Sequence, residues 1–325
     1  MPRLIDCLPL KIPLALAVDP SSLCNFRCKY CPTGNQDISG LRPNGLMPLS
    51  LFKKIVDDVA RMDGHLKALK LWKDGEPLLN PELPAFIRYA KEKNIADEIR
   101  MTTNGALLHR MAKELIATDI DWIMVSYLAP RDEIYALHTN NAAHRGQVRR
   151  NVELLRNLRD KKSSSKTHIA VKMCHLPYIT PQDIQIFRAE FGGIADELVL
   201  HEQPMNWDNS HGKDLTMGAA KGHLLEKKVC PFAWYELNIN FNGEASICPV
   251  DWSFKTIVGD ARTQTVGDIW NGERLRRFRS MWVTGDISSH PVCGKCTYYH
   301  GHEDNIDEFV LPGRQPSKTG KVPAP

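Results

Sequence analysis

The chain has 325 residues, with 42 Lys and Arg against 38 Asp and Glu, for a formal net charge of +4. So small an excess over this length makes no case for nucleic acid as a partner, and a 42% apolar fraction suits a globular protein of one large domain or two medium ones. The longest apolar run, residues 12–18, is too short to span a bilayer, no signal peptide is evident, and nine cysteines, an odd count, favour reduced, metal-bound thiols in the cytoplasm over disulfides.

In chain order, residues 13–18 read as a strand that leads directly into a thiol-rich loop. Leu51, Phe52, Ile55, Val56 and Val59 then share one helical face within residues 51–62. Strand 67–73, helix 82–93, strand 98–102, helix 107–117, strand 122–126, helix 146–158, strand 167–173, helix 181–190 and strand 197–200 follow. Strands alternating with helices imply βαβ units and an α/β fold on a parallel sheet. The pattern alone does not separate a partial barrel from an open doubly wound sheet. Residues 201–228 are polar and read as a connector. Residues 235–240 and 245–250 then form a hairpin about Asn242-Gly243, because both residue types tolerate positive φ. A single helix is expected over 265–281, and residues 312–325, rich in Pro, Lys and Gly, are expected to be disordered. The boundaries implied are 1–205 for a core, 206–229 for a connector, 230–300 for a second domain and 301–325 for a tail.

Seven of the nine cysteines fall into two sets, leaving Cys7 and Cys174. Cys24, Cys28 and Cys31 have the spacing C-x3-C-x2-C. Three thiolates can hold three irons of a cubane and leave the fourth open, where an iron–sulfur cluster normally takes four. A structural zinc would want a fourth ligand close by, and no Cys or His follows Cys31 before His65. The second set is Cys230, Cys248, Cys293 and Cys296, with Gly243 between the first two. Four thiolates would close a cubane completely, or hold a structural zinc.

The first set, with an aromatic Tyr30 before its third cysteine, resembles the signature of the radical S-adenosylmethionine (SAM) superfamily. The resemblance implies a partial (β/α)6 barrel with a small C-terminal α+β auxiliary-cluster domain. It also implies SAM and two [4Fe–4S] clusters as cofactors, and a flavodoxin- or ferredoxin-type electron donor. In the family the open iron chelates SAM, whose reductive cleavage gives a 5′-deoxyadenosyl radical. Carried over to this chain, Tyr30 lies beside the adenine, and the run Gly75, Glu76, Pro77 holds the SAM amino group. Asp74 stands before that run, where many members have Gly. Asn104, in Thr103-Asn104-Gly105, is a polar contact for SAM or substrate, and Ser126 is a contact for the ribose. The second set resembles a Twitch domain, a shortened SPASM domain. Its four cysteines are closer to the aminocyclitol dehydrogenase of butirosin biosynthesis than to the molybdenum-cofactor cyclases, which have three.

Strand alternation puts Ala170, Lys172 and Cys174 on the interior face of one strand, and Glu197, Val199 and His201 on that of the next. Lys172 is a candidate partner for the SAM carboxylate or a base, and His201 or His175 a candidate base. The expected reaction removes a hydrogen from an alcohol carbon of a sugar or aminocyclitol and yields a ketone, with the auxiliary cluster as electron acceptor. An alternative is epimerisation, with Cys174 returning a hydrogen atom. Another is modification of a ribosomally made peptide, against which the 23 residues before Cys24 leave little room for a leader-binding domain. A non-catalytic redox carrier is the reading outside enzymes.

Overall fold

Alternate alanines set the centre of the sheet. The computed structural model describes residues 3–28, 31, 33, 42–139, 144–175, 178–201, 227–251, 253–296, 298–302 and 304–307. After a short helix α1 (Leu4–Cys7), strand β1 (Ala15–Val18) turns Leu16 and Val18 into the apolar core. Ala15 and Ala17, on the opposite face, leave room in the interior.

From β1 the sheet grows one way through β2 (Leu66–Lys70), β3 (Ala96–Thr103), β4 (Trp122–Tyr127), β5 (His168–Cys174) and β6 (Glu197–His201), every neighbour parallel. Parallel neighbours need long crossovers. These are supplied by α2 (Leu49–Ala60), α3 (Leu83–Lys93), α4 (Leu108–Ala117), the pair α5 (Asp132–Thr139) and α6 (Arg145–Lys161), and α7 (Pro181–Phe191). Stacked Phe52 and Phe86, 4.2 Å between ring centres, join α2 to α3. A capping box of Thr180 and Asp183, with Pro181 in the first turn, fixes the start of α7. Six parallel strands in chain order form the expected partial barrel of the α/β fold.

The C-terminal segment begins with α8 (Phe232–Tyr235), and its first strand, β7 (Glu236–Ile239), pairs in parallel with β1. β8 (Glu244–Ser246) and β9 (Ile257–Asp260) add antiparallel, giving the order β6-β5-β4-β3-β2-β1-β7-β8-β9. The expected hairpin is present, closed by a longer loop in which only Gly243 takes positive φ, +91°. Where one helix was expected over 265–281 there are two, α9 (Val266–Trp270) and α10 (Glu273–Thr284). Gly272 separates them: its backbone is extended, and a Cβ there would stand 2.6 Å from the Asp268 carbonyl oxygen. Helix α5 and strand β9 were not foreseen. Most of the connector and tail lie outside the described residues. Among those described, no helix is long and apolar enough to cross a membrane.

Candidate functional site

The loop after β1 is seated on the turn after β2. A methyl group on Gly75 would lie 2.1 Å from the Ser21 carbonyl oxygen and 2.4 Å from that of Leu23, so only glycine allows this approach. Glu76 N then donates to Leu23 O at 2.8 Å. The Glu76 side chain, 2% exposed, organises the neighbouring loop. Its Oε1 accepts from Thr103 Oγ1 at 2.6 Å and Leu78 N at 3.0 Å, and its Oε2 accepts from Asn104 N at 2.7 Å. Of about four lone-pair sites on a carboxylate, one is left for a ligand. Burial pushes this carboxyl up to about 7 against those three hydrogen bonds, which pull it down. Pro77 opens the short 3₁₀ turn that Glu76 caps.

Asn104 sits beside the thiol loop. Its Nδ2 donates to Asn25 Oδ1 at 2.8 Å and reaches Cys24 Sγ at 3.9 Å. Phe26 N also donates to Cys24 Sγ, and Cys31 N closes a turn on Cys28 O at 3.0 Å. Burial, followed by the Glu76 carboxylate, pushes the Cys24 thiol up to about 12. Tyr30 lies outside the described residues.

Across the sheet, register sets Lys172 between Ser126 and Val199, and Cys174 beside His201. Burial raises the Cys174 thiol pKa, partly offset by Lys172. Burial, then the Lys172 charge, lowers that of His201. His175 joins this group through its backbone, its N–H donating to His201 O at 2.9 Å. Tyr178, which sequence reasoning passed over, feels both Cys174 and Cys28, so the barrel wall at β5 stands near the thiol loop.

The second thiol set comes together. Cys230, Cys248, Cys293 and Cys296 line one cavity with apolar walls that include Phe232, Ile247 and Trp282. Cys230 leads into α8, Cys248 follows β8, and a 3₁₀ turn joins Cys293 to Cys296. Burial pushes the thiols of Cys230, Cys248 and Cys293 well up, so sulfurs so placed ionise only when a cationic centre binds them. Among the described residues no three Cys, His, Asp or Glu side chains close on the spacing of a single ion. Zinc would hold each sulfur about 2.3 Å from one point, whereas a cubane distributes its thiolates over four irons. The donor set fits a cluster.

A buried ionic group links the two regions. Lys73 Nζ reaches Asp74 Oδ2 at 2.7 Å and donates to Asp251 O at 3.1 Å. Arg42 pairs with the same Asp74 oxygen at 2.8 Å, and both cations lie over the Phe254 ring. The Gly-Glu-Pro turn is thereby tied to the segment just after Cys248. Sequence reasoning noted Asp74 only as a departure from glycine.

Residues 18–188 match the model of the Radical SAM superfamily. The chain belongs to that superfamily. Residues 230–297 match SPASM, an iron–sulfur cluster-binding domain. The radical SAM protein accordingly uses SAM and a [4Fe–4S] cluster, with further iron–sulfur in its SPASM domain. Among curated proteins it is similar to GTP 3',8-cyclase of Microcystis aeruginosa (strain NIES-843 / IAM M-2473), 32% identical over 103 residues, 32% of this chain and 31% of the cyclase. The GTP 3',8-cyclase of Aliarcobacter butzleri (strain RM4018) is 37% identical over 100 residues, 31% of this chain and 30% of that one. The chain thus spans just under a third of the length of these relatives. Among solved structures, BtrN in complex with AdoMet and 2-DOIA superposes with a TM-score of 0.56 at 21% identity, over 88% of this chain and 93% of that one. Native anSMEcpe with bound AdoMet gives 0.59 at 16%, over 83% and 84%. Streptococcus suis SuiB bound to precursor peptide SuiA gives 0.61 at 13%, over 82% and 66%. At these identities the likeness is one of fold.

Proposed function

We propose that this radical SAM protein oxidises an alcohol carbon of a sugar or aminocyclitol to a ketone. The observation that carries the reading is the cavity lined by four thiols, because a cluster ligated at every iron suits electron transfer. In this reading Cys24, Cys28 and Cys31 hold the SAM-binding cluster, and Cys230, Cys248, Cys293 and Cys296 hold the second. When bound, these groups supply a 5′-deoxyadenosyl radical that takes the carbinol hydrogen atom and an acceptor for the electron left behind.

The chain's residues do the rest. Gly75 lets the turn close on the thiol loop, Glu76 holds Thr103 and Asn104 in place, and Pro77 fixes the turn that follows. Asn104, Tyr30 and Ser126 complete the SAM contacts, and Lys172 offers its charge to the SAM carboxylate. His201, held neutral by burial and by Lys172, takes the hydroxyl proton. A flavodoxin- or ferredoxin-type protein donates the starting electron, and reduced thiols place the chemistry in the cytoplasm. The fold neighbour crystallised with AdoMet and 2-DOIA, aligned over 88% of this chain, supports a small polar substrate. The matches to GTP 3',8-cyclase extend over about 100 residues only.

Epimerisation is the second reading. It is favoured by the position of Cys174 beside His201 on the interior face, with a thiol that burial keeps protonated. The test is anaerobic turnover of reconstituted protein with SAM, reductant and a panel of sugars and aminocyclitols. Oxidation predicts 5′-deoxyadenosine in step with a product lacking two hydrogens. A product of unchanged mass points to epimerisation. Absence of 5′-deoxyadenosine with every substrate rejects both readings, and activity only on a precursor peptide rejects the substrate class.

A further inference from the structure

On one face of β1, β7 and β8 the sheet buries polar side chains that have nothing to bond. Asn238 pairs in register with Ala17 on one side and with Ser246 on the other. One step along come Asp19 and Asn240, where Asp19 N donates to Ile239 O at 2.9 Å. Alternation sends Leu16, Val18, Leu237 and Ile239 to the opposite face, into the apolar core. Asp19, Asn238, Asn240 and Ser246 are all fully buried. Yet both oxygens of Asp19, both amide atoms of Asn238 and of Asn240, and Ser246 Oγ have no hydrogen-bond partner among the described residues. The Asp74 amide leans toward Asp19 without closing a bond of normal geometry. Native cores leave few such groups, and seldom side by side.

Their place matters as much as their number. Counting two residues at a time along paired strands, this face is also the one that carries Lys70, Arg100, Lys172, Cys174 and His201. Asp19 lies five residues before Cys24, and Ser246 two before Cys248. The orphaned groups therefore sit on the barrel's interior face, between the roots of the two thiol loops. Two primary amides and a hydroxyl each donate and accept, and a carboxylate adds acceptors. A ring of hydroxyl groups is their complement, and an ammonium group suits the carboxylate. An apolar ligand would leave every one of them unpaired, and an anionic one would meet Asp19.

We propose that Asp19, Asn238, Asn240 and Ser246 form the substrate pocket, binding a small polyol or amino-polyol through its hydroxyl and amino groups. The choice of ligand class rests on the oxidation reading above, and the geometry of the pocket does not. Enclosure on this face suits a small molecule. Burial and the neighbouring Asp74, offset by Lys73 and Arg42, push the Asp19 carboxyl up to about 7, which suits an acceptor facing a hydroxyl or amine at neutral pH.

The test is calorimetric binding of three probes, 2-deoxystreptamine, D-glucosamine and scyllo-inositol, to the anaerobically reconstituted holoenzyme with SAM. At least one should bind. Asn238→Ala and Ser246→Ala should each weaken it about tenfold, and Asp19→Asn should weaken the amine-bearing probes more than the inositol. Thermal midpoints are read in parallel on Asn238→Leu, which fills the same space without polar atoms. Loss of binding with an unchanged or raised midpoint supports a ligand pocket. Unchanged binding with a lowered midpoint means these groups hold only ordered water and overturns the proposal. Ser246→Ala, which removes one oxygen, decides the matter if Asn238→Leu does not fold. No binding by any probe also overturns it. Binding without oxidation removes the oxidation reading and leaves the pocket; oxidation with KM unchanged in all the variants does the reverse.

Discussion

Glu76 shows how one carboxylate can organise a cofactor site while keeping little of itself for the cofactor. With three hydrogen bonds made to Thr103, Asn104 and Leu78, its main work is positioning. Glu76→Gln would set an amide N–H₂ against donors on the Asn104 side. We expect a loss of about 1–3 kcal/mol in stability, read by chemical denaturation, and weaker SAM binding, read by equilibrium dialysis. Rescue of SAM binding by Glu76→Asp would argue that charge alone suffices. Asp19 gives a prediction in pH. Its folded-state pKa is raised, from 3.8 to about 7, by burial and then by Asp74. The folded state therefore holds a proton that the unfolded chain has released. The resulting stability is fully present below 3.8 and is lost as pH rises through about 7. Unfolding free energy should fall between those pH values by an amount on the order of a few kcal/mol at most, and Asp19→Asn should flatten the fall. An identical pH profile for wild type and variant would show that Asp19 does not titrate there. These residues differ in how legible they were. Glu76 announced itself through a motif, whereas Asp19, Asn238 and Asn240 read as ordinary strand alternation. The physical reason is that alternation reports which face is polar, and a face that is polar and also buried looks the same in sequence as one in water.

At the scale of elements, patterns carried well wherever a single face decided the structure. The strands and helices of the core lie where apolar spacing puts them, with ends shifted by a few residues. The helix expected over 265–281 failed because the pattern ran through a glycine whose position, 2.6 Å from a neighbouring carbonyl, breaks the helix in two. Strand β9 and helix α5 are short enough that pairing and packing, not local pattern, define them. The contact between the turn at Gly75 and the thiol loop yields an element-scale prediction. With 2.1 Å between a would-be Cβ and Ser21 O, Gly75→Ala must push the two loops apart. We expect destabilisation of roughly 1–3 kcal/mol and loss of most of the iron and sulfide bound at the N-terminal site. Iron and sulfide analysis after reconstitution, with the C-terminal cysteines replaced by serine to isolate the first site, reads the outcome. Full iron retention would mean that the turn yields without disturbing the thiols.

The whole molecule is one sheet, and that continuity was the least legible feature of the chain. Six parallel strands and two thiol sets could be read from spacing. That β7 would pair with β1, from residues more than two hundred positions apart, could not, because register between distant segments leaves no local pattern. Two ionic contacts secure the join. Lys70 meets Glu236 at 2.5 Å across it, and Lys73 ties Asp74 to the backbone of Asp251. The second contact explains why an aspartate stands before the Gly-Glu-Pro run. Side chains of Lys73, Asp74 and Arg42 are 0%, 4% and 2% exposed, so two buried cations share one carboxylate. Removing that carboxylate strands both charges, a change that costs about 3–5 kcal/mol. Asp74→Gly, which restores the glycine common in the family, should therefore destabilise this protein. It should also loosen the segment after Cys248 and lower occupancy of the C-terminal cluster while the N-terminal site keeps its iron. Lys73→Met together with Asp74→Gly should recover part of the loss, since one stranded charge is gone. Denaturation curves of the single and double variants, with Mössbauer counts of the two clusters, test this directly. If Asp74→Gly leaves stability and both clusters intact, the ionic group does not couple the two halves, and the paired strands β1 and β7 hold them together unaided.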